Sequence, residues 1–149
     1  MTKEFLLTLL DEAFDKLSWH GPNLRGAIRG VSAEEAAWRP QSRAHNIWEL
    51  TLHAAYWKYV VRRKLTGEKR GGFPLPGSDF FARPVELSEA AWKNDIGILT
   101  GAHRDLRAAV SAMPAGVSQR MLHMIRGAAS HDVYHAGQIR LLRKLHAGG

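Results

Sequence analysis

Apolar residues recur at alternating steps of three and four along four stretches of the chain, the spacing of one face of an α-helix. Nowhere do they alternate with period two for long enough to make a strand. The first stretch begins near Thr2, carries Leu6, Leu10, Ala13 and Leu17 on one side, and ends where Gly21 and Pro22 interrupt "HGPN". A short helical piece is expected through "LRGAIRG". One more turn is expected at "SAEEAAWRP", where Ser32 followed by Glu35 reads as an N-cap. The second long helix opens at Asn46 with Glu49 three residues on, a capping box, and runs to a C-cap at Gly67. A third is expected from Ser88 to about Met113, and a fourth from about Gln119 to His146. Between Gly67 and Leu87, three prolines and four glycines read as loop. A loop of this length either covers a functional site or is a crossover anchored by Phe73, Phe80 and Phe81. The expected class is all-α, a four-helix bundle forming one domain over residues 1–149.

The same spacing places polar residues where core is expected. On the last helix the inward stripe reads Met124, Ala128, His131, His135, Gln138, Leu142 and Leu145. On the second long helix it reads Leu50, His53, Trp57 and Val60, and on the third Trp92, Ile96, Leu99, His103, Leu106, Val110 and Met113. Three helices thus each bring a histidine to an apolar face. Buried imidazoles without partners are costly, and several together repel one another if protonated. A bound cation removes both problems: His131 and His135, one turn apart, can ligate a metal with His53 as the third donor. Three protein ligands leave a position for water or substrate.

Other residues on these stripes have competing readings. His103 is a fourth ligand, a group that supports the ligands from behind, a substrate-binding residue or a hydrogen-bonded core histidine. Trp57 and Gln138 line the site or are simply core. Glu49, one turn before His53, orients an imidazole, acts as a base, or only caps its helix. "HDVYH" matches the zincin pattern H-E-x-x-H with Asp132 for Glu, one methylene too short to reach a metal-bound water well. Phosphate-loop, dinucleotide and Ser/His/Asp patterns are missing from the sequence.

Composition narrows the chemistry further. The chain has no cysteine, so it offers no disulfide and no thiol nucleophile, and any thiol chemistry needs a supplied thiol. A net charge of +7 favours anionic partners, yet the basic residues are spread along the chain and no nucleic-acid signature accompanies them. Nucleic acid is therefore not the expected partner. No apolar run approaches the roughly 20 residues of a membrane span, and "MTKEFLLTLLDEAF" lacks the pattern of a secretory signal, so the expected location is cytoplasmic. Gly97 and Gly101 cost about 1 kcal/mol each in a helix interior. They lie opposite the Leu99 stripe, where small residues would admit a neighbouring helix, which suggests a homodimer through the third long helix.

Taken together, "LTLHAAYW", "SHDVYHAGQI" and the "WRP" before the second long helix resemble the DinB/YfiT-like superfamily over nearly the whole chain. That resemblance implies a four-helix bundle in up-down-down-up order. It also implies a divalent metal, zinc or nickel, on His53, His131 and His135 at a site open at one end. Several relatives are thiol-dependent transferases or isomerases using bacillithiol, mycothiol or a similar small thiol. The activity it suggests is therefore a metal-dependent thiol S-transferase or related detoxification enzyme acting on small electrophiles. A non-catalytic metal- or ligand-binding stress protein is the alternative, since fold does not determine reaction.

Overall fold

The computed structural model describes residues 2–148, which form six helices and, among the described residues, no strand. They are α1 (Lys3–Phe14), α2 (Leu24–Ile28), α3 (Ala33–Ala37), α4 (Ile47–Thr66), α5 (Glu89–Ser111) and α6 (Gln119–Gly148). Helix starts follow local chemistry. Thr2, Asn23, Ser32, Asn46 and Ser88 each accept a hydrogen bond from a backbone N–H three residues on, an arrangement worth about 1 kcal/mol per cap. The capping box at Asn46 and Glu49 is formed, and Gly67 ends α4 with φ at +76°, a conformation glycine adopts without strain. None of the described helices is long and apolar enough to cross a membrane.

The four long helices pack as neighbours: α5 along α4, α6 along both α1 and α4, and α1 against α5. The short α2 lies on α6 and α3 on α4. Leu17, expected on the inner face of the first helix, is 96 % exposed. α1 stops at Phe14, so the periodicity no longer applies three residues later.

On α6 the buried seam runs through Ile125, Ala128, Asp132, His135, Ile139 and Leu142. Three positions of the predicted stripe are therefore displaced: Met124, His131 and Gln138 sit at the edge of the buried face, and Leu145 is exposed. A strict seven-residue pattern drifts on a straight helix, and the seam in fact passes through the residue after each of the three. On α5 the stripe holds except that Asp95 replaces Ile96 as the buried residue; its carboxylate accepts from Trp48 Nε1 at 2.7 Å and Arg83 Nε at 2.9 Å.

The core is divided in two. One apolar cluster joins Phe14, α2, α3, the first halves of α4 and α5 and the end of α6; the other joins the rest of the buried face of α1, Val61, the second half of α5 and the beginning of α6. Between them lies a polar layer of Lys58, His103 and Asp132, one residue from each of α4, α5 and α6. The Lys58 ammonium donates to Asp132 Oδ2 and, at 3.1 Å, to His103 Nδ1, and lies 4.8 Å from the Phe14 ring centroid. Phe14 also stacks on the His103 ring at 3.8 Å. Burial pushes the Asp132 carboxyl up to about 6 despite the Lys58 ammonium beside it.

Removing one partner of such a pair strands a buried charge. Asp132→Ala is expected to lose about 3–5 kcal/mol in urea unfolding, whereas the paired replacement Lys58→Met/Asp132→Leu recovers most of that loss. Equal destabilisation by the single and double variants would show that the polar layer is not a coupled unit.

Candidate metal centre

His53 on α4 and His131 and His135 on α6 come together beside this polar layer. The His131 Nε2 lies 3.1 Å from His53 Nε2 and 2.9 Å from His135 Nε2. His53 and His135 are buried and His131 is half-buried, so the group opens to one side at His131. The seam displacement on α6 produces this: Asp132 takes the inward direction, and the preceding residue is turned to the rim.

The outer nitrogens fix the tautomers of two rings. His53 Nδ1 faces the Asp79 backbone carbonyl at 3.0 Å and its Oδ1 at 3.1 Å, both acceptors, so Nδ1 carries the proton and Nε2 the lone pair. His135 Nδ1 faces Gln138 Oε1 at 2.7 Å and is set in the same way. Two lone pairs therefore point at His131 Nε2, which carries one hydrogen at most and cannot serve both. The donor set fits a cation: neutral imidazole nitrogens converge, and hydrogen bonds behind two of the rings hold their orientation, the usual environment of ligating histidines.

Electrostatics point the same way. Burial lowers all three histidines. In His131 the neighbouring His135 and His53 reinforce burial and the value falls to about 3. In His53 contacts to Asp79 oppose the lowering, and in His135 the bond to Gln138 does. The rings are neutral near pH 7, the form that binds metal.

The long loop before α5 supplies what periodicity does not display. Asp79, in the left-handed region with φ at +68°, presents its carbonyl and carboxylate to His53 and accepts from Trp57 Nε1 at 2.8 Å. Phe80 stacks between the rings of His53, at 3.9 Å, and His45, at 3.7 Å. Both expectations for this loop are thus joined: it is a crossover anchored by aromatics, and it reaches the histidine site. An aspartate between the turn residues of "PGSDFF" was the only local signal.

Glu49 does not reach His53 directly. Burial alone would raise its carboxyl, but bonds from Arg39 and from the Arg83 and Asn46 N–H groups outweigh that and hold it low. It anchors the end of the loop through Arg83 N at 3.0 Å. Arg39 of "WRP" joins the two by donating to Glu49 Oε1 at 2.8 Å and to the Arg83 carbonyl at 3.1 Å.

The remaining expected residues fall in three places. Gln138 is half-buried and faces His135 Nδ1 through its Oε1. Trp57, on the predicted inner stripe, is 38 % exposed at the rim, since its indole turns outward to Asp79. His103 is in the polar layer, where its Nδ1 is bonded to Lys58 and its buried Nε2 has no partner among the described residues. Asp132 is fully buried against Lys58, so the acidic residue of "HDVYH" turns away from its two histidines and the zincin comparison fails.

A second group of potential metal donors, Asp11, Asp15 and His103, is less suited to a cation. Arg107 already holds both Asp11 oxygens, at 2.7 and 3.0 Å, and donation from Lys58 to His103 Nδ1 leaves the proton on Nε2.

His103 also makes folding acid-sensitive. Burial, reinforced by Lys58, lowers it from 6.5 to about 3. The folded chain then binds fewer protons than the unfolded chain, so this stability is complete above about pH 6.5 and is lost as pH falls toward 3. Between pH 7.5 and 4.5 the loss is about 3 kcal/mol. Urea unfolding of metal-free His103→Gln should show a correspondingly smaller loss over that interval; an equal loss would contradict the assignment.

The family model described as the DinB superfamily matches residues 16–139, a span that includes all three histidines, Asp79 and Gln138. No curated protein and no solved structure matches the chain.

Proposed function

We propose that this chain, which belongs to the DinB superfamily, is a metal-dependent enzyme that joins a small thiol to a small electrophile. The carrying observation is the convergence of three neutral imidazole nitrogens, two with their tautomers set by Asp79 and Gln138. His53, His131 and His135 would hold a divalent transition metal, zinc or nickel. With three protein ligands, the cation would supply Lewis acidity to a sulfur or oxygen donor at an open position.

The chain's own residues do the positioning. Asp79 and Gln138 hold two imidazoles in the ligating tautomer, Phe80 covers one face of His53, and Glu49 with Arg39 ties down the loop that carries Asp79 and Phe80. Trp57, partly exposed at the rim, is placed to meet a substrate. The thiol must be supplied, since the chain has no cysteine. The proposal includes the four-helix, up-down-down-up arrangement for α1, α4, α5 and α6, a cytoplasmic location, and a dimer through α5, where a Cβ on Gly97 would meet no atom within 4 Å. A monomeric mass in light scattering at high protein concentration would remove the dimer.

One observation favours a second reading, a protein that holds metal or a small ligand without turnover. Glu49 and Asp132, the carboxylates nearest the ligands in sequence, are both committed elsewhere and not free to move protons at the site.

Elemental mass spectrometry on untagged protein should find about one transition metal per chain, lost in His53→Ala and His131→Ala. Metal-loaded protein should consume 1-chloro-2,4-dinitrobenzene in the presence of one of a panel of small thiols, and His135→Ala should abolish that activity. No uptake of zinc, nickel or manganese would overturn the metal centre. Full metal with no turnover across thiols and electrophiles would favour the binding protein.

A further inference from the structure

A groove of about 260 Å³ runs between α4 and α6 and ends at His131. Its walls are Trp57, Val60, Val61, Met124 and Ala128, and Gly127 keeps one side clear. A Cβ built on Gly127 would meet nothing within 4 Å, so the space beside it is open. Lys58 also lines the groove, but its ammonium is taken by Asp132 and His103. The end away from His131 carries Lys64 and His123, both exposed, and the lining includes no acidic residue. Along α6 the distance from His123 to His131 is eight residues, about 12 Å of helix axis.

We propose that this groove binds an elongated organic anion, its apolar body between α4 and α6, its anionic group at Lys64 and its reacting end at the three histidines. Three features select that occupant. The walls are apolar and favour a hydrocarbon body. Positive charge unopposed by any lining carboxylate stands at one end only. The opposite end is continuous with the candidate metal centre through His131, which lines both. The volume is just under the roughly 300 Å³ at which pockets for drug-sized ligands begin, so the occupant is a smaller molecule, of the size of octanoate. The assignment of the reacting end rests on the metal-dependent reading above; the binding of an apolar anion does not.

Octanoate and octan-1-ol, titrated calorimetrically into metal-free protein, separate the two claims, because a carboxylate then has no metal to bind. Octanoate should bind at least fivefold more tightly than octan-1-ol, and Lys64→Glu should erase that preference. Gly127→Leu, which fills open space and improves helix propensity, should weaken octanoate at least tenfold. Gly137→Leu, on the same helix with equally open space but outside the groove, should leave it unchanged. No octanoate binding, undiminished binding in Gly127→Leu, or an unchanged preference in Lys64→Glu would each overturn the proposal. A scattering mass that falls in Gly127→Leu, without octanoate binding, would assign the groove to a second copy of the chain. Failure to take up zinc would overturn the metal centre and leave these results as they stand.

Discussion

The ion pair of Lys58 and Asp132 is the constraint on which the candidate site depends. Taking an ammonium and a carboxylate out of water costs several kcal/mol each, and a hydrophobic pair of similar volume would often be as stable. What the pair adds is orientation. Successive residues on a helix point about 100° apart, so tying Asp132 to a lysine on α4 turns His131 to the edge of the buried face. His135, three residues after Asp132, is brought inward. One interaction thereby sets how α6 is rotated against α4, and with it the meeting of three imidazole nitrogens.

A second layer of control comes from the segment before α5. Its backbone runs past the start of α4, where Glu49 and Arg39 hold it by hydrogen bonds to Arg83. Asp79 and Phe80 are thereby delivered to His53, one through hydrogen bonds and the other through ring stacking. The residue that caps α4 therefore also anchors the loop that orients a candidate metal ligand. Glu49 acts at a distance through this loop and not by touching the imidazole.

Charge is distributed to match. The three histidines are held neutral by burial and by one another, which suits lone-pair donation to a cation. The groove leading away from them is apolar and ends in basic side chains. In a chain with a net charge of +7, these features favour anionic small molecules over cationic ones.

Much of this was legible in the sequence, and the reason is local. Caps at Asn46 and Ser32, the glycine stop at Gly67 and the 3.6-residue periodicity act within a turn or two of the chain, so the helices and their histidine-bearing faces could be read directly. The grouping of His53 with His131 and His135 followed from spacing and from the residue types that ligate metals. Tertiary structure alone decided the rest: that Lys58 enters the core, that Asp132 and not His131 occupies the seam, and that Asp79 backs His53. A charged residue is buried only when a partner from another helix meets it, and a one-position shift of a helical seam leaves the hydrophobic pattern almost unchanged. Those choices depend on contacts between residues 26 to 74 positions apart, which periodicity along a single helix does not encode.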